Sequence, residues 1–115
     1  MKVPEEKADE KENIEKLQML EQNTQQYQAQ RQQFQSQLVE VESALKELKT
    51  SEESYKIIGN IMVKGKREDL EKDLSSRKEM YDLRIKNLEK QETKLREKAK
   101  ELQEQVMESM KDGRQ

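Results

Sequence analysis

Apolar residues recur with alternating spacings of three and four along two long stretches of the chain. The first stretch runs from Leu17 to Leu48, and within it only Thr24 and Arg31 depart from the apolar rule. This spacing is the heptad repeat of a coiled coil, in which the recurring positions form a seam along one side of each helix. The second stretch repeats every seven residues at Leu74, Tyr81, Leu88, Leu95 and Leu102.

The two repeats predict a first helix over residues 14–49 and a second over residues 67–111. Residues 1–13 precede them as a charged N-terminal arm that contains Pro4, the one proline of the chain. This arm is either mobile or the frayed start of the first helix. Residues 112–115 form a short C-terminal tail.

The segment between the predicted helices, residues 50–66, follows a different pattern. Two runs rich in β-branched and apolar residues, at about 55–58 and 61–64, flank the pair Gly59-Asn60. A two-residue connection of this kind is typical of a β-hairpin. We therefore predict a β-hairpin at the centre of the chain.

The two predicted helices fit each other when the chain folds back at the hairpin. Pairing residues whose numbers sum to 119 places Leu17 opposite Leu102 and Leu45 opposite Leu74, and every seam position meets another seam position. A parallel dimer of either helix would not require this match. The predicted fold class is mainly α: an antiparallel two-helix coiled-coil hairpin that carries a central β-hairpin.

Polar residues interrupt the seam at matching levels of the two helices. In this register Tyr27 faces Glu92, and Arg31 lies one layer away. We predict that Glu92 pairs with Arg31, helped by the Tyr27 hydroxyl, as a polar layer that fixes the register. The alternative is that both side chains extend to water along their apolar stems and do not interact.

The predicted hairpin is partly apolar on both faces, because neighbouring residues of a strand point to opposite sides. A lone two-stranded hairpin is only marginally stable in water, and its edges carry unpaired backbone groups. We predict that the hairpins of several subunits join into a shared sheet or barrel from which the helices project. The alternative is a hairpin that folds down on its own helix ends. The candidate oligomerisation residues are Tyr55, Ile57, Ile58, Gly59, Asn60, Ile61, Met62 and Val63.

The predicted antiparallel pairing brings the two ends of the chain together. Seam residues are half-buried in an intact helix pair, but helices can separate near their ends and expose them. Methionine is flexible and polarizable, which suits a surface that meets many partners. We expect this cluster to contact exposed apolar segments of unfolded proteins; the alternative is ordinary seam residues plus isolated surface methionines. The candidate residues are Ile14, Leu17, Met19, Leu20, Leu102, Val106, Met107 and Met110.

Composition narrows the functions that such a fold can serve. Charged residues make up 42% of the chain and aromatic residues 3%, too little apolar surface for a thick core. Lys and Arg (23) nearly balance Asp and Glu (25) and are interspersed with them, which disfavours nucleic acid as a partner. The sequence has no Cys or His, no nucleophile–base set and no phosphate-binding loop, so we predict no enzyme, no cofactor and no metal site. No apolar run is long enough to cross a membrane, and the lack of cysteine fits a cytoplasmic protein.

The run from Tyr55 to Lys64, placed between heptad helices of this length, resembles the prefoldin beta subunit family, in particular its archaeal type. The resemblance extends from about Leu17 to Gly113, and the charged arm departs from it. It implies an ATP-independent co-chaperone in which two alpha-type and four beta-type subunits join through their hairpins into a hexamer. It further implies coiled-coil tips that hold unfolded client proteins and deliver them to a group II chaperonin. A structural or tethering coiled coil is the alternative, but it explains the heptads without explaining the central hairpin.

Overall fold

A computed structural model describes the backbone of residues 5–112 and the side chains of residues 10–111. The predicted tail beyond Asp112, including Gly113, lies outside the described residues, as do residues 1–4. The strands occupy the residues that the sequence pattern assigns to them. In chain order the elements are α1 (Glu5–Leu48), β1 (Tyr55–Ile58), β2 (Ile61–Lys64) and α2 (Arg67–Asp112).

The first helix begins earlier than the sequence pattern predicts. Since α1 starts at Glu5, residues 5–13 of the predicted arm are helical. Neither Pro nor Gly occurs between Glu5 and Ile14 to interrupt a helix. An ion pair one turn apart, with 3.7 Å between Glu12 Oε1 and Lys16 Nζ, adds about 0.2–0.5 kcal/mol to helix stability. The sequence pattern predicts the start at residue 14, where apolar periodicity is about to begin, and misses the helical segment before it, whose side chains are mostly polar.

Side chains and charges mark the helix ends next to the hairpin. α1 ends at Leu48, where the Glu47 carbonyl oxygen accepts hydrogen bonds from the backbone N–H and the hydroxyl of Thr50, at 3.2 and 3.3 Å. α2 carries Glu68 and Asp69 in its first turn, where the positive end of the helix dipole favours acidic residues. Both helices therefore end at defined positions on either side of the hairpin.

The hairpin turns on Gly59 and Asn60. β1 and β2 pair antiparallel, with Tyr55 opposite Lys64 and Ile58 opposite Ile61. Gly59 has a φ of 60°, whereas Asn60 does not have a positive φ. A positive φ at the first turn residue alone is the signature of a type II′ turn, which matches the twist of the strands and requires glycine there.

The helices pack along their predicted seams within two compact units. We call residues Arg31–Asn87 the hairpin unit, and Met1–Gln30 with Leu88–Gln115 the tip unit. At each predicted seam position from Leu17 onward the side chain is buried or half-buried, and most residues between them are exposed. The seam prediction is confirmed by this pattern of burial.

In the hairpin unit, aromatic and charged side chains link the two helices. The rings of Phe34 and Tyr81 lie 6.0 Å apart between centroids, and the Arg84 guanidinium carbon lies 5.2 Å from the Phe34 centroid. Glu42 Oε1 and Lys78 Nζ are 3.9 Å apart across the helix pair. The buried apolar side chains of this unit include Val41, Leu48 and Ile85.

In the tip unit, the seam remains closed close to the end of α2. Val106 is only 8% exposed, and Leu17, Leu20 and Leu102 are half-buried. Because α1 already begins at Glu5, α2 has a helix beside it at the level of Val106. The seam residues of the tip are therefore packed in this conformation rather than displayed.

Candidate functional site

The register of the hairpin divides its side chains between two faces. Directly opposed residues of an antiparallel pair share a face, and the faces alternate along each strand. One face therefore holds Tyr55, Ile57, Met62 and Lys64, and the other holds Lys56, Ile58, Ile61 and Val63. Each face combines three apolar or aromatic side chains with one lysine at the end away from the turn.

Both faces of the hairpin are open to solvent. Every residue of β1 and β2 is exposed, and among the apolar ones the exposed fraction ranges from 44% at Val63 to 69% at Ile57. A hairpin folded down on its own helix ends would bury one of its faces, so this alternative does not describe the structure. The exposed apolar side chains form two patches, one on either side of a single pair of strands.

The base of the hairpin is held by a reciprocal contact. The Gly65 N–H donates to the Ser54 carbonyl oxygen at 3.0 Å, and the Ser54 hydroxyl donates to the Gly65 carbonyl oxygen at 2.9 Å. Next to it the Tyr55 hydroxyl donates to Glu53 Oε2 at 2.8 Å, and this hydrogen bond raises the pKa of Tyr55 above its ordinary value. This hydrogen bond links the Tyr55 hydroxyl at the start of β1 to Glu53, the second residue before it.

A groove of about 480 Å³ lies between the helix ends and β1. Apolar side chains of α1, α2 and β1 meet along it, among them Leu48, Leu70, Leu74 and Ile57. The open apolar surface of the hairpin is thus continuous with apolar surface at the helix ends.

The tip residues predicted from the sequence fall into two groups. Leu17, Leu20, Leu102 and Val106 are half-buried or buried on the seam, as described above. The exposed group consists of Ile14 (38%), Met19 (64%), Met107 (67%) and Met110 (50%).

The sequence profile of the family described as "Prefoldin subunit" matches residues 11–113 of the chain. The match includes most of α1, the whole hairpin and all of α2, which is nearly the full length of the 115-residue chain. The chain belongs to the prefoldin subunit family.

Individual members of the prefoldin family show the same relationship. The prefoldin subunit beta of Archaeoglobus fulgidus is 52% identical over 52 residues, which are 45% of this chain and 45% of that protein. The subunit beta of Methanocella arvoryzae is 45% identical over 60 residues, 50% of this chain and 48% of that protein. The matched segments thus span less than half the length of these curated relatives. The prefoldin beta resemblance inferred from the sequence is confirmed.

A solved prefoldin structure extends the likeness to nearly the whole fold. The crystal structure of the prefoldin beta subunit from Thermococcus strain KS-1 is 30% identical in sequence and superposes with a TM-score of 0.81, covering 93% of each chain. The predicted fold class, two long helices joined by a small antiparallel β-hairpin, is confirmed as that of a prefoldin beta subunit.

The polar layer predicted within the seam involves residues of both compact units. Among the described residues, Glu92 is the one charged residue that is buried, with an exposed fraction of 3%. The Arg31 Nη1 group donates to Gln35 Oε1 on its own helix at 3.5 Å, and Tyr27 is half-buried. Arg31 belongs to the hairpin unit and Glu92 to the tip unit. The pairing of their side chains stays a prediction.

Sequence reasoning did not single out a groove in the tip unit. The groove has a volume of about 370 Å³ and is lined by small seam residues, Thr24 and Ala99, flanked by longer polar side chains. The Thr24 hydroxyl donates to the Leu20 carbonyl oxygen at 2.7 Å, so its hydrogen bond is made within its own helix. The signal was present in the heptads, because two small residues, Thr24 and Ala99, occupy adjacent layers of the seam and leave room there.

No helix in the described part of the chain combines the length and apolarity needed to cross a lipid bilayer.

Proposed function

We propose that this chain is the beta-type subunit of a cytoplasmic prefoldin hexamer, with two alpha-type and four beta-type subunits. The hairpins join into a common β-barrel platform, and the coiled-coil tips hold unfolded client proteins. The hexamer then delivers these clients to a group II chaperonin without using ATP. The observation that carries the proposal is the hairpin whose two faces are both apolar and both exposed.

The physical reason for assembly is the cost of leaving this hairpin alone in water. Burying an Ile, Val or Met side chain stabilises a protein by about 1.5–3 kcal/mol, and the hairpin offers such residues on each face. Its outer strand edges also carry backbone groups that only another strand can pair. Edge-to-edge association of several hairpins satisfies both requirements at once, since a closed sheet has no free edge.

The physical basis for holding clients is reversible apolar contact at the tip. Ile14, Met107 and Met110 are exposed, and the half-buried seam leucines behind them become available where the helices separate. Unfolded chains expose the apolar side chains that such a surface binds. The balance of 23 basic and 25 acidic residues gives no preference for a strongly charged partner.

The first experiment is to measure the absolute mass of the purified chain by light scattering, alone and after mixing with an alpha-type subunit. A hexamer that contains this chain and the partner in a two-to-one ratio would support the proposal. A monomer or dimer that ignores the partner would favour a structural or tethering coiled coil instead.

The second experiment tests holding and delivery. Reduced, denatured lysozyme is diluted into buffer with the assembled hexamer, and its aggregation is followed by light scattering without nucleotide. We expect suppression near stoichiometric amounts of hexamer. Delivery is tested with a labelled client and a group II chaperonin, by following transfer of the label from hexamer to chaperonin. Aggregation that proceeds at the rate of lysozyme alone would contradict the holding role.

A further inference from the structure

The exposed apolar side chains of the tip are unequally distributed around the helix pair. The tip groove is lined by Glu21 of α1 and by Arg96 and Gln103 of α2. Each of these residues directly follows a seam residue at the second core position of the heptad, named d, and therefore occupies position e of its helix. The e positions of the two helices therefore line the same side of the tip.

One heptad further toward the chain ends, this same row becomes apolar. Ile14 lies seven residues before Glu21, and Met110 lies seven residues after Gln103. Met107 stands one helical turn before Met110 on the same side of α2. Among the described residues of the tip unit, three of the four exposed large apolar side chains thus lie on the side of the helix pair that carries the groove, nearer to the chain ends. We call Ile14, Met107, Met110 and the adjoining groove the tip face.

The fourth exposed apolar residue points elsewhere. Met19 precedes Glu21 by two residues, which at ~100° per residue places it ~200° around α1, away from the groove. Its exposed fraction, 64%, is nearly that of Met107, 67%. Met19 and Met107 therefore present the same side chain to solvent on different sides of the same unit.

The groove adds a polar rim to the apolar residues of the tip face. Its long side chains are one carboxylate, one guanidinium and two amides, from Glu21, Arg96, Gln25 and Gln103, so their charges sum to zero. Each glutamine offers both a donor and an acceptor, which matches the N–H and C=O groups of an extended backbone. The small residues Thr24 and Ala99 leave room for an apolar side chain between the helices.

The size of the tip face limits which partner fits it. The tip face comprises three apolar side chains and the seven residues that line the groove, fewer than the roughly 20–30 residues on each side of a standard protein interface. A second folded copy of this chain would therefore gain too little from it. A flexible extended segment fits better, because it can contact several such faces of an assembly at the same time and gain affinity from their number.

We infer that the tip face alone receives the client: an extended, uncharged, apolar segment lies along the groove and against Ile14, Met107 and Met110, while the Met19 side does not bind. This inference rests on the proposed function and refines it, since the sequence-predicted surface includes Met19. In this arrangement the side-chain amides of the groove residues Gln25 and Gln103 form hydrogen bonds with the backbone of the client.

The test compares Met107→Ser with Met19→Ser in the full-length chain assembled with its alpha-type partner. Both substitutions remove the same side chain from a similarly exposed helical position, so their effects on helix stability match. We expect Met107→Ser to raise the hexamer concentration needed for half-maximal suppression of lysozyme aggregation about fivefold. Met19→Ser should stay within about twofold of the unsubstituted protein. Equal losses from the two variants, or no loss from Met107→Ser, would overturn the inference.

A second measurement, photo-cross-linking, identifies directly the side of the tip that contacts the client. A photoactivatable benzoylphenylalanine replaces Gln103, which lines the groove, or Glu101, which is exposed two residues earlier on α2. We expect denatured lysozyme to cross-link through position 103 and not through position 101. Equal cross-linking would overturn the one-sided face even where the hexamer suppresses aggregation. A hexamer that neither suppresses nor cross-links would remove the proposed function and this inference together.

Discussion

The ring of Phe34 on α1 lies 6.0 Å from the ring of Tyr81 on α2, with an angle of 35° between their planes. The guanidinium of Arg84 covers the Phe34 ring from the other helix. Aromatic pairs at this distance and tilt are worth about 0.5–1.5 kcal/mol beyond the area they bury. This contact joins the two helices within the hairpin unit, where most other seam positions hold smaller aliphatic side chains.

Replacing Phe34 with alanine should therefore destabilise the helix pair. We expect the free energy of unfolding to fall by about 2–3 kcal/mol, below the ~3–5 kcal/mol typical of fully buried Phe because Phe34 is half-buried. Urea unfolding followed by circular dichroism measures it, at one fixed protein concentration because assembly contributes to stability. Leu83→Ala is the control: Leu83 is 69% exposed, and its loss should cost under about 0.5 kcal/mol. Similar losses from both variants would show that the ring contact does not hold the helices.

The assembled hairpin should not tolerate a charge in place of one of its apolar side chains. Ile61→Lys places an ammonium group where we propose that subunits meet, and a buried unpaired charge costs several kcal/mol. We expect the light-scattering mass to fall from that of a hexamer to that of separate subunits, with helix content unchanged. Val39→Lys is the matched control, because Val39 is 61% exposed on α1 and Ile61 is 67% exposed on β2. A hexamer that forms normally with Ile61→Lys would exclude this face from the assembly.

Most of the fold follows from short-range sequence rules, and the departures have physical causes. Heptad spacing and a Gly-Asn pair between β-branched runs suffice to locate the seam and both strands. The start of α1 cannot be located from the heptad spacing, because residues 5–13 carry no apolar periodicity. These residues are nevertheless helical, and they contain no Pro or Gly that would end a helix. Local spacing likewise identifies Val106 as a seam residue but does not reveal that it is 8% exposed, since burial depends on how far the partner helix extends.

The sequence identifies the residues of the candidate sites, but it does not by itself show which of them share a surface. The apolar strand residues are visible in the sequence, and the antiparallel register then divides them into two faces. At the tip, apolar character alone groups Met19 with Met107. Only the helical phase of each residue relative to the groove separates them. The groove itself depends on two small side chains, Thr24 and Ala99, that line it from distant parts of the chain.

The turn should depend on the backbone freedom of Gly59. Its φ of 60° is a conformation in which a Cβ atom is strained, although no neighbouring atom would contact that Cβ within 4 Å. Gly59→Ala should therefore cost about 1–2 kcal/mol through backbone strain alone. We expect a lower guanidinium concentration at the midpoint of hexamer dissociation. Asn60→Ala, at a turn position without a positive φ, should change that midpoint little. Equal shifts for the two variants would show that the type II′ turn does not limit assembly.

The buried carboxylate of Glu92 offers the sharpest test of how the helices choose their register. Glu92 is 3% exposed, and a buried charge is tolerated only with a partner, for which we predict Arg31. Arg31→Leu or Glu92→Leu alone should lower the free energy of unfolding by about 3 kcal/mol, since each leaves the other charge uncompensated. The double variant should return close to the stability of the unsubstituted chain, because an apolar layer of similar volume replaces the pair. Urea unfolding of all four proteins gives the coupling energy, which should exceed about 1 kcal/mol. Additive losses would instead favour two side chains that reach water separately, and the register would then be set by the apolar seam alone.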